Sequence, residues 1–189
     1  MAKLTISQDK DADDLLSRSP LALLIGLVLD QQITLEKAFT APLLLTQRLG
    51  EDLDAAKIAS FDPAELEKIF SEKPALHRYP ASMARRVQAL CAMVASDYGN
   101  DASKIWSTSQ DGRDLLKRIR GLPGFGEMKA RIFVALLGKQ LGVDVPNWRD
   151  VSAPFGEPGS FRSIADIRDL ESLNMVREFK TEMKARGKH

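Results

Sequence analysis

The sequence of 189 residues is poor in the side chains that form disulfides and bind transition metals. It contains one cysteine, Cys91, and two histidines, His77 and His189. One thiol excludes an internal disulfide, and a cubane iron–sulfur cluster requires about four thiolates. The two histidines do not have zinc-ligand spacing. We therefore expect a reduced, intracellular protein that requires no cofactor and carries no iron–sulfur cluster.

Long apolar runs are also scarce. The longest, Leu21–Leu29, is too short to span a bilayer, and it follows an acidic segment rather than a basic one. The pattern therefore predicts neither a signal peptide nor a membrane anchor. We expect a cytoplasmic protein that does not bind a membrane.

The formal net charge of +1 conceals an uneven distribution along the chain. Residues 1–72 carry 7 Lys/Arg against 13 Asp/Glu, whereas residues 73–139 carry 12 against 5. Such clustering of cations indicates a face that meets a polyanion. On charge alone, an ordinary solvated helix surface explains it equally well.

Helical patterns cover most of the chain. Alanine and leucine are frequent and only 6% of the residues are aromatic, a balance that favours helix. Thr34 and Asp62 are typical N-cap residues, and Gly50 is a typical residue at the C-terminal end of a helix. The Gly-, Pro- and Ser-rich run 142–163 predicts an ordered loop, and a helix is expected over 169–186. No segment shows the alternation of a strand, so we expect an all-α protein.

A very short turn, "LPGFG" (122–126), joins two amphipathic helices. Its apolar residues can enter a core, while Gly124 and Gly126 allow dihedral angles that a β-carbon forbids. The turn leaves N–H groups at the start of the second helix, where the helix dipole favours an anion. Five cations cluster around it: Lys117, Arg118, Arg120, Lys129 and Arg131. A plain helix–helix turn is the alternative, but it does not need two glycines at this spacing.

The stretch "LPGFGEMKA" (122–130) resembles the helix-hairpin-helix motif, Leu-Pro-Gly-apolar-Gly-x-x-x-Ala, of the HhH-GPD superfamily of base-excision DNA glycosylases. In that family the hairpin amides hold a DNA phosphate without reading sequence. The resemblance implies two helical lobes with a cleft between them. We expect a middle lobe over about 31–110 and a hairpin-bearing lobe over about 1–30 and 111–189. It also implies a monovalent cation on the main-chain carbonyls of Arg120, Leu122 and Phe125.

The run "DVPNWRD" (144–150) is similar to the pattern Asp-Val-(four residues)-Asp of bacterial 3-methyladenine glycosylases, in which the second aspartate is catalytic. The resemblance makes Asp150 the catalytic carboxylate. Asp144 is the second choice, because a small shift in alignment would exchange the two. A carboxylate facing the sugar C1′ can stabilise oxocarbenium character or position the attacking water. A surface carboxylate paired with Arg149 is the alternative for Asp150.

The lysine of the bifunctional glycosylase/lyases is missing at the corresponding position. Those enzymes have a lysine two residues after the second hairpin glycine, where it forms a Schiff base. Here that residue is Met128, and Lys129 lies one residue later, about 100° further round the helix. The chain therefore resembles the 3-methyladenine glycosylases more than the lyases, and we expect any activity to be monofunctional.

Two further segments match elements that members of the family insert into DNA. Gln31 and Gln32 follow an apolar helix, as does the amide pair that enters the gap left by a flipped base. Arg78 and Tyr79 lie where the family has its wedge loop. The alternatives are polar residues that end a helix and a tyrosine that only packs before Pro80.

The sequence therefore predicts a monomeric, nucleoid-associated DNA glycosylase that binds duplex DNA and hydrolyses the N-glycosidic bond of a damaged base. A non-catalytic DNA-binding protein on the same scaffold is the main alternative. A helical interaction module, in which the hairpin is a plain turn, is the second.

Overall fold

A computed structural model describes residues 3–187, which form eleven α-helices and one 3-10 turn, with no strand in that range. The all-α prediction is therefore confirmed. The helices are α1 (Lys10–Arg18), α2 (Pro20–Leu29), α3 (Leu35–Leu49), α4 (Ala55–Ser60), α5 (Pro63–Ser71), α6 (Pro80–Asp97), α7 (Lys104–Ser107), α8 (Gly112–Arg120), α9 (Glu127–Gln140), α10 (Trp148–Val151) and α11 (Leu170–Arg186). The 3-10 turn is Ile164–Asp166.

The helix ends follow the local sequence signals. The side chain of Thr34 accepts a hydrogen bond from the N–H of Lys37 and so caps α3, which ends at Gly50 in the left-handed conformation. The Asp62 side chain caps α5 in the same way, through the N–H of Glu65. These ends are decided by side chains adjacent in sequence, which is why the pattern predicted them.

Two elements differ from the expectation. α4 has no counterpart among the predicted helices, and the segment 142–163, expected to be loop, contains the one-turn helix α10. The indole of Trp148 holds α10 against α9 at Gly138, where an added Cβ would lie 2.5 Å from the ring. Because this contact joins residues ten apart, no local pattern indicates it.

The core is organised around α2, whose residues Leu21–Leu29 are all buried. α2 packs against α1, α3 and α6, and α6 also packs against α4 and α5. α8 and α9 form an antiparallel pair that contacts α10, and the 3-10 turn packs between α9 and α11. The division into a middle lobe and a hairpin-bearing lobe stays a prediction.

A buried ion pair fixes the segment after α9. The ammonium of Lys139 lies 2.5 Å from Oδ1 of Asp166, and the two side chains are only 6% and 4% exposed. Asp166 also accepts the backbone N–H groups of Arg162 and Ser163. These bonds hold the 3-10 turn against α9.

No helix of the described chain is long and apolar enough to cross a membrane.

We expect Asp166→Ala to lower the free energy of unfolding by about 3–5 kcal/mol, because Lys139 would stay buried without its partner. Urea denaturation followed by circular dichroism measures this. Asp14→Ala, which removes an exposed ion pair with Lys10, is the matched control and should have little effect. If the two variants lost similar free energies of unfolding, the buried Lys139–Asp166 pair would not be what stabilises this part of the fold.

Candidate nucleic-acid interface

The hairpin between α8 and α9 is anchored by its apolar residues, since Leu122 and Phe125 are both buried. Gly124 has φ +87°, and a Cβ there would lie 3.0 Å from Cδ of Arg86 and 3.2 Å from Cγ2 of Val28. Both the left-handed conformation and the close approach to α2 and α6 therefore require glycine at this position.

Gly126 differs from Gly124 in what surrounds it. Its φ is −91°, which any residue adopts, and an added Cβ would meet no atom of the described chain within 4 Å. The fold therefore does not need glycine at this position. A missing side chain here leaves space for a molecule that approaches the backbone.

The start of α9 has backbone donors without protein acceptors. No side chain caps this helix. Within residues 3–187, the N–H groups of Gly126, Glu127 and Met128 donate no hydrogen bond. Such groups, together with the helix dipole, favour an anion.

The cations around the hairpin are largely engaged. The carboxylate of Glu127 lies 2.8 Å from Nε of Arg120 and 2.8 Å from Nε of Arg131. The hydrogen bond from Arg131 lowers the pKa of Glu127, with the charge of Arg120 acting in the same direction. Arg118 pairs with Asp114 at 2.9 Å. An incoming phosphate therefore has to compete with Glu127 for the arginines.

Lys129 does not extend into solvent as a surface cation. Its Nζ donates to the carbonyl of Leu27 at 2.6 Å, near the end of α2. Met128, at the position of the Schiff-base lysine in the lyases, is 68% exposed. Because the lysine lies one residue later than in the lyases, its side chain contacts the end of α2, whereas the methionine side chain extends into solvent.

The three carbonyls predicted to hold a monovalent cation differ in their hydrogen bonds. The carbonyl of Leu122 accepts the N–H of Phe125 at 3.1 Å, whereas those of Arg120 and Phe125 accept none from the described residues. Two unused carbonyl oxygens and one partly used one fit a weakly bound cation.

The two glutamines have different environments. The Gln31 side chain donates to the carbonyl of Val28 at 2.8 Å and accepts from Nη1 of Arg86 at 3.2 Å. Gln32 is exposed and has φ +57°. Gln31 is thus held by α2 and α6, and Gln32 extends into solvent.

His77 connects the two segments expected to enter DNA. Its Nε2–H donates to the carbonyl of Gln31 at 2.9 Å, and its Nδ1 accepts the N–H of Tyr79 at 3.0 Å. Tyr79 is 44% exposed and has the guanidinium of Arg78 5.5 Å from its ring centre. The structure therefore brings these residues together through a buried histidine that sequence reasoning did not select.

One depression of about 480 Å³ joins the hairpin to the glutamine segment. Its lining residues come from the ends of α2 and α9, from α6 and from the hairpin: Asp30, Gln31, Arg86, Gly124, Phe125 and Lys129. Sequence reasoning missed Asp30 and Arg86. The available signal for Asp30 was its place at the C-terminal end of α2, where an acidic residue is unfavourable.

The carboxylates selected by the resemblance lie elsewhere. Asp144 and Asp150 are exposed, and neither lines this depression. Asp150 is on α10, which packs on α9 at Gly138. Gly138 follows Lys129 by nine residues, so it lies about 180° round the helix from the lysine. α10 and the end of α2 therefore contact opposite faces of α9.

Over residues 25–187, the chain matches the family model described as HhH-GPD superfamily base excision DNA repair protein. The comparisons with curated proteins and with solved structures gave no match. The matched region includes the hairpin, both glutamines and every residue of the depression.

We expect His77 to make stability depend on pH. Burial lowers its pKa below the ordinary 6.5; hydrogen bonds to the carbonyls of Gln31 and Leu29 oppose the shift, and the charges of Lys37 and Arg86 add to it. The unfolded chain then binds more protons near pH 6, so this stability is complete above pH 6.5 and is lost as the pH falls toward the lowered value.

Urea unfolding at pH 7.5 and pH 5.5 measures this dependence. His77→Gln should reduce the difference in the free energy of unfolding between the two pH values. An unchanged difference in His77→Gln would show that the ring is not held neutral by the fold.

Proposed function

Because the chain belongs to the HhH-GPD superfamily of base excision DNA repair proteins, we propose that it is a monofunctional DNA glycosylase. It acts as a monomer on duplex DNA and hydrolyses the N-glycosidic bond of a damaged or mispaired base. The observation that carries this proposal is the hairpin, whose uncapped helix start adjoins a depression that also holds Gln31.

In this proposal the duplex backbone lies across the start of α9. A phosphate accepts from the N–H groups of Gly126 and Glu127, and it approaches closely because Gly126 has no side chain. When bound, a monovalent cation on the carbonyls of Arg120, Leu122 and Phe125 supplies positive charge beside that phosphate. These contacts position DNA without reading its sequence.

Base flipping is assigned to the opposite wall of the depression. Gln31, held by Arg86, fills the space left by the flipped nucleotide, and the exposed ring of Tyr79 stacks on a neighbouring base. His77 holds the segment of Gln31 next to the segment of Tyr79, because its ring forms a hydrogen bond with each. The lesion then enters the depression beside the hairpin.

A Schiff-base lyase reaction is excluded from the proposal. Met128 has no amine, and the Lys129 ammonium is already bonded to the Leu27 carbonyl. The product is therefore an abasic site in an intact strand.

A non-catalytic DNA-binding protein is the second candidate. The exposed position of Asp150, on the face of α9 away from Lys129, favours it, because this carboxylate lies outside the depression that would receive the base. The glycosylase and the non-catalytic binder share the contact between the hairpin and a DNA phosphate. They differ only in whether a base is released from the DNA.

Gly126→Ser tests the hairpin contact. A serine at this position can cap α9 and should raise the free energy of unfolding by a few tenths of a kcal/mol. The same side chain fills the open space through which the phosphate approaches the N–H groups of Gly126 and Glu127, so the Kd for duplex DNA should rise about tenfold or more. Fluorescence anisotropy with a labelled duplex measures the Kd, and the affinity should also fall steeply with salt.

Gly121→Ala is the matched control, because its φ of −73° suits alanine and its Cβ would meet only ordinary contacts. It should leave the affinity unchanged. If Gly126→Ser bound duplex as tightly as the wild type, the hairpin would not be the phosphate contact.

A panel of duplexes tests the enzymatic proposal. It contains uracil, hypoxanthine, alkylated purines and oxidised bases. We expect at least one lesion to yield alkali-labile abasic sites, with no cleavage before alkali and no adduct after borohydride reduction. Salt-sensitive binding without product would support the non-catalytic alternative, and a reduced covalent adduct would contradict monofunctional chemistry.

A further inference from the structure

The last helix, α11, carries its positive and negative charges on different sides. The helical period places three of its cations within about 40° of the buried Leu173, and we call them the cationic face: Arg177, Lys180 and Lys184. Three glutamates lie on the opposite side of the helix, about 140° to 180° from Leu173: Glu171, Glu178 and Glu182. The remaining cation of α11, Arg186, is in the last turn and lies outside the cationic face.

The cationic face continues the buried side of α11 into solvent. In the first half of the helix this side is covered, since Leu173 and Val176 are each 1% exposed and α11 contacts the 3-10 turn. From Lys180 to Gly187 every residue is exposed. The second half of α11 therefore extends beyond the core, and its lysines are not needed to cover apolar residues.

Two interactions place the cationic face beside the depression. Arg177 forms an ion pair with Glu36 in the first turn of α3, the helix that follows the two glutamines. Burial raises the pKa of Asp30, which lines the depression, and the charges of Lys180 and Lys129 oppose this increase. The depression is therefore close to a lysine of α11 as well as to a lysine of α9.

The two lysines of the cationic face are available to an external anion. Within residues 3–187, neither Lys180 nor Lys184 forms an ion pair, whereas two arginines of the hairpin share Glu127. Residues four apart are separated by about 6 Å along a helix axis, and each DNA strand carries one phosphate per about 3.4 Å of its axis. Flexible lysine side chains at this separation can contact two phosphates without displacing a carboxylate.

We propose that the cationic face of α11 is a second contact for the DNA backbone, in which Lys180 and Lys184 bind phosphates next to the nucleotide that enters the depression. The inference rests on the proposed function, because it takes the same duplex as the ligand. The phosphate contact at the hairpin is thereby joined by one near the end of the chain. The glutamates of α11 then lie on the side away from the phosphates, which sets the orientation of the helix on the duplex.

The double variant Lys180→Gln/Lys184→Gln tests this contact by fluorescence anisotropy with a short labelled duplex. We expect the Kd to rise about tenfold or more at moderate ionic strength. The slope of log Kd against log salt concentration should fall by about 2, because each lost phosphate contact removes about 0.9 from it.

Lys10→Gln/Lys57→Gln is the matched control for the change in net charge. It removes two lysines that form exposed ion pairs on α1 and α4, and neither helix contributes a residue to the depression. Such pairs contribute little to stability. The Kd and the salt dependence of this variant should equal those of the wild type.

Photo-crosslinking tests which side of α11 meets the duplex. Because Cys91 is buried, a cysteine introduced on α11 can be labelled selectively with a photoreactive group. Lys184→Cys places the group on the cationic face, and Glu182→Cys places it about 160° away on the same helix. Irradiation with the duplex should give a covalent protein–DNA product with Lys184→Cys and little with Glu182→Cys. Equal yields, or a larger yield with Glu182→Cys, would overturn the inference.

The binding data separate this inference from the proposed function. If the double lysine variant bound duplex with the affinity and salt dependence of the wild type while Gly126→Ser weakened binding, the contact at α11 would be excluded and the proposed function would stand. If the wild type showed no salt-sensitive affinity for duplex DNA, both would fail.

Discussion

The contact between the hairpin and the end of α2 determines the geometry of the whole site. Gly124 fits against Val28 and Arg86 only because it has no side chain and adopts a left-handed conformation. The Lys129 ammonium reaches the Leu27 carbonyl across the same contact. Together these interactions join segments about a hundred residues apart in sequence. The depression exists because the hairpin is pressed against the end of a buried helix.

The charged groups in and around the site differ in whether the fold supplies them with a partner of opposite charge. Some charged groups serve the fold, as Lys139 and Asp166 do by neutralising each other in the interior. Glu127 holds two arginines at the surface of the hairpin, where solvent screens the pairs. Asp30 and Lys129 face a partly buried space without a short ion pair between them. Groups that the fold leaves unsatisfied are the ones available to a substrate.

Sequence reasoning predicted the helices and the hairpin well because both depend on neighbouring residues. Thr34 caps the helix that follows it, and the spacing of Gly124 and Gly126 is a property of five consecutive residues. The same reasoning missed α10, which forms where Trp148 packs on Gly138. It also placed Lys129 among the surface cations, although the ammonium of that side chain donates to the Leu27 carbonyl at the end of α2.

The sequence by itself determined the all-α class, the position of the hairpin, the absence of a lysine at Met128 and the family. Only the tertiary structure decided which side chains share the depression. His77, Arg86 and Asp30 belong to segments separated by tens of residues, and their meeting depends on how α2, α6 and α9 pack. Periodicity reports which face of a helix is buried, but a contact between distant segments depends on packing in three dimensions.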